Sequence, residues 1–202
     1  MDYEIIRCFS VPIIKFKFNK HEKYVNWFDE SISLPPMMKT RGVPWSHVTS
    51  YLREPDNDRL MSREIKDQLT QDLQNSLITA LNEVNITNKF SISSIWYNIY
   101  QKNQHVPSHN HLSTCTHKNA FWSGIYYNKN ASPTRFIRSD PMVRTQEFPG
   151  WIESKIGDCF KPCFTPEVKT GDVVIFPPYL HHDVIIPPGK TRITIAFNLE
   201  LT

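Results

Sequence analysis

The sequence predicts an α+β chain that is mainly β: a sandwich or barrel of short strands with an α-rich N-terminal flank packed on one side. Three observations carry this. From Phe90 onward, runs rich in β-branched and aromatic residues follow one another closely, broken by the turn signals Asn128-Lys129-Asn130, Thr170-Gly171-Asp172 and Pro187-Pro188-Gly189. The clearest helical period lies before them, where Ile65, Leu69, Leu73, Leu77 and Leu81 recur at helical spacing. The 202 residues, 40% of them hydrophobic and 21% charged, suffice for one domain with a substantial core.

Taken in order, Tyr3 to Phe18 reads as a strand that Pro12 confines to its start or to an edge. Beyond the proline, Ile14, Phe16 and Phe18 share one face and Ile13, Lys15 and Lys17 the other. Asn19 and Glu22 resemble a capping pair for a short helix reaching Ser31. Leu34 to Asp58 holds Pro35, Pro36, Pro44 and Pro55 and reads as a long loop, either a lid or a covering segment pinned by Trp45 and Tyr51. Ser62 to Val84 is a helix whose leucine stripe, widened by Ile78 and Val84, packs on the outside of a sheet. Strands are then expected at 90–100, 121–127, 134–137, 160–164, 172–176, 183–186 and 192–201. Residues 1–202 form one domain on this reading, with 1–89 as the flank and 90–202 as the core.

The charge balance and the cysteines exclude several classes. A formal net charge of +3 without a basic block gives no case for nucleic acid. No apolar run approaches the ~20 residues of a membrane span, and Met1-Asp2-Tyr3-Glu4 lacks the order of a signal peptide, so a cytoplasmic location is expected. Cys8, Cys115, Cys159 and Cys163 form no CxxC and read as free thiols; Cys159 and Cys163 sharing a zinc with His117 is the weaker alternative.

The chemistry concentrates between Gln104 and Asn198. His109 and His111 sit at i and i+2, which on a strand share one face and point at one ion. His182 lies between the apolar runs Val173–Phe176 and Val184–Ile186, where an ionisable residue needs a partner. Arg192 and Thr194 share a face of the last strand, opposite Ile193 and Ile195. Facing inward, a buried guanidinium requires an anion, and a bidentate carboxylate suits it. The Pro187-Pro188-Gly189 turn is expected to set the Arg192 strand beside the one carrying His182. A distal His and an Arg added to the H-x-H pair form a more specific signal than any one of them, pointing to a metal with an anchored acidic co-substrate.

These blocks together resemble a known family. Trp96-Tyr97-Asn98, His109-Asn110-His111, Ser123-Gly124-Ile125-Tyr126-Tyr127, Phe176 through Val184 and Arg192 through Asn198 are similar, in order, to the signature blocks of a small bacterial and phage group of 2-oxoglutarate/Fe(II)-dependent oxygenases. Phe9 through Ile13 is similar to that group's N-terminal strand. The resemblance implies a double-stranded β-helix, or jelly roll, with iron near its open end. It implies Fe(II) on His109, His111 and His182, with His111 where the wider superfamily has a carboxylate. It implies that Arg192 and Thr194 take the distal carboxylate of 2-oxoglutarate, with Asn98, Tyr100 and Tyr126 as further co-substrate or metal-pocket contacts. The catalytic machinery is then the metal centre itself, with O₂ and an unidentified substrate as partners and hydroxylation as the outcome.

Two other readings fit parts of the sequence. A cupin-like metalloenzyme without 2-oxoglutarate would use the three histidines but gives Arg192 no role. A jelly-roll binding module would keep the fold without turnover. Of the adjacent histidines, strand alternation turns His181 away from whatever His182 faces.

Overall fold

The last strand is the centre of the fold. The computed structural model describes residues 11–27, 48–51, 60–101, 104–112, 120–138, 161–184 and 191–202. Within them the chain runs β1 (Ile14–Lys17), α1 (His21–Tyr24), β2 (Val48–Thr49), α2 (Arg63–Glu83), β3 (Phe90–Tyr100), β4 (Val106–His109), β5 (Trp122–Lys129), β6 (Thr134–Ile137), β7 (Cys163–Phe164), β8 (Asp172–Phe176), β9 (His181–Val184) and β10 (Arg192–Leu201). The strands form two antiparallel sheets, a large one in the order β1-β8-β5-β10-β3-β2 and a small one in the order β4-β9-β6-β7. The fold is mainly β, as the sequence predicts, with the two sheets face to face as in a jelly roll.

β10 sits between β5 and β3 and is buried on both faces. Its alternation sorts the molecule. Ile193, Ile195, Phe197 and Leu199 join the core under α2, while Arg192, Thr194, Ala196 and Asn198 lie on the opposite face, towards the small sheet. α2 supplies the outer layer. Ser62 caps it by accepting from the Ile65 N–H, and Leu69, Leu73, Leu77 and Leu81 are fully buried against the large sheet. Each buried leucine contributes roughly 1.5–3 kcal/mol of apolar transfer. The stripe is narrower than the sequence suggests, because Ile78 (42% exposed) and Val84 (48% exposed) face solvent. Gly124, opposite Phe197 in the β5–β10 register, admits the phenylalanine ring over its backbone: an added Cβ would meet Phe197 Cζ at 2.2 Å.

Several expectations change in detail. β1 begins after Pro12 with the expected alternation, but Asn19 does not cap α1. Lys20 holds that position without a side-chain capping bond, and Asn19 Oδ1 accepts from Ser76 of α2 instead. α1 is one turn long, and the segment beyond Trp27 falls outside the described residues, as does most of the 34–58 loop. Val48–Thr49 within that loop is a strand, pairing with Ile99 and Asn98. β1 and β2 form the two edges of the large sheet, so residues before 90 contribute strands to the core as well as helices. β9 begins at His181, so His182 lies in the strand rather than before it. β10 is not beside β9: the two belong to different sheets. Cys163 is an exposed free thiol, while Cys8, Cys115, Cys159 and His117 lie outside the described residues.

Candidate active site

Three histidines converge between the sheets. His109 ends β4 and lies directly opposite His182 of β9, and their rings are 4.4 Å apart. His111 follows two residues after β4, where its N–H bonds the Pro178 carbonyl, and its ring is 5.1 Å from His182 and 5.7 Å from His109. One ring nitrogen from each lies within 4.8 Å of the others. Phe176 walls this cluster, with ring centres 4.9 Å from His182 and 6.1 Å from His111.

The hydrogen bonds decide which nitrogen each ring offers. His109 Nδ1 lies 2.9 Å from the Pro107 carbonyl and His182 Nδ1 lies 3.0 Å from the Leu180 carbonyl. A carbonyl only accepts, so Nδ1 carries the hydrogen in both and Nε2 keeps its lone pair. His111 Nδ1 is held by Ser123 Oγ at 2.8 Å and Asn198 Oδ1 at 2.9 Å. Burial lowers the His109 pKa and pushes that of His182 well down, with the neighbouring His109 and His111 adding to the effect on His182. Imidazoles with one nitrogen tied back and the other free are a donor set that suits a divalent transition metal. His181 points the other way, its Nε2 2.9 Å from Asn110 Nδ2, and the adjacent Asp183 pairs with Arg135.

Arg192 is 1% exposed on the inner face of β10. Its Nε donates to the Ser132 carbonyl at 3.0 Å, and its terminal nitrogens lie 3.5 Å from Thr194 Oγ1 and 3.4 Å from Thr134 Oγ1. The rings of Tyr100 and Tyr127 flank the guanidinium, 4.8 and 5.5 Å from its carbon. Among the described residues no carboxylate pairs with it. Strand register brings the other expected residues alongside: Tyr100 opposite Arg192, Asn98 opposite Thr194. Burial pushes the Tyr100 phenol up to about 12 despite the opposing influence of Arg192, so it stays a neutral donor. Ala196 lies between Thr194 and Asn198 on the same face.

Tyr126 does not join them, which corrects the sequence expectation. It lies on the far face of β5, where its hydroxyl is 2.6 Å from His21 Nδ1 and its ring packs on Phe18. Tyr127 takes the inner position opposite Thr194, and its hydroxyl donates to Thr134 at 3.0 Å. The sequence expectation also does not include Ser123, Asn198, Thr134 and Ser132, which hold His111 and Arg192; strand parity, once anchored on Arg192, identifies Asn198 and Thr194 but not the residues of the other strands. An open groove of about 340 Å³ between β1 and α2, lined by Lys17, Lys20, Asp72 and Glu83, lies on the outer side of the large sheet, on the far side from the histidines.

Residues 94–198 match the family described as "Putative 2OG-Fe(II) oxygenase", and the chain belongs to this family of 2-oxoglutarate- and Fe(II)-dependent oxygenases. No curated protein sequence matches. Among solved structures, the fold is similar to HygX from Streptomyces hygroscopicus with nickel and 2-oxoglutarate bound, at a TM-score of 0.56 and 14% identity over 95% of this chain and 84% of that one. HygX with nickel, 2-oxoglutarate and hygromycin B bound gives a TM-score of 0.54 and 12% identity over the same shares. A 2OG-Fe(II) oxygenase family oxidoreductase from Burkholderia pseudomallei overlaps at a TM-score of 0.49 and 10% identity; the match covers 70% of this chain and 61% of that protein's length. At these identities the likeness concerns the fold. No helix among the described residues is long and apolar enough to cross a membrane.

Proposed function

We propose that His109, His111 and His182 hold Fe(II) through Nε2, and that Arg192 with Thr194 binds the distal carboxylate of 2-oxoglutarate. The observation that carries this reading is a guanidinium 1% exposed, without a carboxylate partner among the described residues, on the inner face that also receives three converging imidazoles. A cation buried in that way is costly until an anion arrives. Bound Fe(II) supplies the activation of O₂ that couples decarboxylation of 2-oxoglutarate to oxidation of an organic substrate, with hydroxylation as the outcome. The chain's own contribution is orientation and exclusion of water. Tyr100 and Tyr127 wall the carboxylate end, Asn98 lines it beside Thr194, and Phe176 keeps the metal end dry. Three neutral imidazoles leave the positive charge of the metal to be balanced by the co-substrate's carboxylates.

A metalloenzyme without 2-oxoglutarate uses the histidines equally well but leaves the buried Arg192 unexplained. Anaerobic titration separates the two. The proposed site binds one Fe(II) and then one 2-oxoglutarate, and on admission of air with Fe(II) it yields succinate. Metal binding with no affinity for 2-oxoglutarate would sink the co-substrate assignment and favour the other enzyme class.

A further inference from the structure

His111 is held differently from the other two histidines. His109 and His182 each donate to a main-chain carbonyl two residues back, so each ring is set by its own stretch of chain. His111 lies beyond the end of β4, and its ring is set from the facing sheet by Ser123 and Asn198, which are 12 and 87 residues away in sequence. These two belong to a row of polar residues across the large sheet. Register puts Ser94 of β3 and Ser123 of β5 on either side of Asn198. The Ser123 hydroxyl donates to Asn198 Oδ1 at 2.7 Å, and Asn198 Nδ2 donates to Ser94 Oγ at 3.3 Å. Both Ser123 and Asn198 are 0% exposed. The β3–β10 register slips immediately after Asn198, where Leu199 pairs with Ile92 and Ser93 is the extra residue. A bulge of this kind bends the strand and re-aims the side chains beside it.

We propose that Asn198, backed by Ser123, is the positioning residue that makes His111 a metal ligand; this rests on the reading of the three histidines as a metal site. The amide oxygen accepts the Nδ1–H of His111, which leaves the Nε2 lone pair to face His109 and His182. The opposite amide orientation would have Nδ2 donate to Nδ1 and put the hydrogen on Nε2, blocking the atom that meets the metal. A carboxylate at the same place only accepts. It therefore preserves the first arrangement and defeats the second. An alanine there leaves the ring free to turn and leaves buried polar atoms without partners.

The test uses the full chain and Co(II) as the probe, titrated anaerobically, with the d–d absorption bands reporting coordination and thermal unfolding of the metal-free protein run alongside. Asn198→Ala is expected to bind Co(II) ~10–100-fold more weakly, with altered bands, as loss of an outer-shell partner does. Asn198→Asp is expected to stay within a few-fold of the parent, or tighter, with the parent's bands. Ser123→Ala, a smaller change that serves if Asn198→Ala does not fold, is expected to bind a few-fold more weakly. Parent-like affinity and bands in Asn198→Ala, or in Ser123→Ala if that is the variant measured, overturns the proposal, as does an Asn198→Asp protein that binds no better than Asn198→Ala. His109→Ala is the control. If it binds Co(II) as the parent does, the metal site itself is wrong and the proposal falls with it. If His109→Ala loses the ion while Asn198→Ala keeps it, only the positioning role fails.

Discussion

Replacing Arg192 by Met removes the charge while keeping most of the side-chain volume, and its two consequences run in opposite directions. In the free protein the guanidinium is almost completely buried, and among the described residues neutral groups alone offset its desolvation: one carbonyl at 3.0 Å, two hydroxyls at 3.4 and 3.5 Å and two tyrosine rings. Removing it costs about 1–2 kcal/mol through the donor lost to the Ser132 carbonyl. It also relieves a desolvation penalty of several kcal/mol. Stability without ligands should therefore be unchanged or slightly raised. For 2-oxoglutarate the loss of a charge-assisted carboxylate contact should cost ~2–5 kcal/mol, roughly 30- to 4,000-fold in Kd. Anaerobic calorimetry of 2-oxoglutarate into the metal-loaded protein measures the second effect, and urea unfolding of the metal-free protein the first. Undiminished 2-oxoglutarate affinity would refute the anchor. A loss of ~3–5 kcal/mol in unliganded stability would instead identify the guanidinium as one half of a structural ion pair.

Further outcomes follow from the same geometry. His182→Ala should lose Fe(II) binding and 2-oxoglutarate-dependent O₂ uptake, while His181→Ala keeps both within a few-fold, because His181 turns away from the cluster to hydrogen-bond Asn110, whose Oδ1 steadies the turn by accepting from Leu112 N–H at 3.2 Å; equal losses would reassign the third ligand. Asp72 is raised by burial but pulled down further by hydrogen bonds from Lys20, Tyr24 and Lys23, ending at about 2. A folded pKa below the unfolded one gives stability that is present above about pH 4 and lost as pH falls towards 2. Asp72→Asn should cost about 1–2 kcal/mol at neutral pH, given how exposed the lysines are, and should flatten the stability profile across that acid window; an unchanged profile would mean that the network contributes nothing. Gly124→Ala drives a Cβ into the Phe197 ring and should destabilise by ~1–3 kcal/mol in urea unfolding; a parent-like midpoint would show that the ring has room to move aside.

Much of the site could be read from sequence because its residues sit on strongly patterned strands. The period of two on β10 puts Arg192 and Thr194 on one face without reference to any partner strand, and the structure agrees. Parity on β5 is different. Trp122, Gly124 and Tyr126 alternate with Ser123, Ile125 and Tyr127, and both sets are buried, so nothing local says which faces the site. The β5–β10 register, which slips between Ile193 and Thr194, decides it for Tyr127. β4 is not legible in the sequence because Val106-Pro107-Ser108-His109 is short and carries a proline, signals that read as loop. The layering of β9 and β10 in opposite sheets is a tertiary property, and a short Pro-Gly connection does not distinguish a hairpin from a crossing between sheets. The row of Ser94, Asn198 and Ser123 is legible only once three strands are aligned.

The most direct test of the site is an electron-density map from crystals grown anaerobically with Fe(II) and 2-oxoglutarate. The proposed site predicts one metal ion bound by Nε2 of His109, His111 and His182, and the distal carboxylate of 2-oxoglutarate against Arg192 and Thr194. A metal that leaves out one of the three histidines, or a co-substrate whose carboxylates lie away from Arg192, would contradict it.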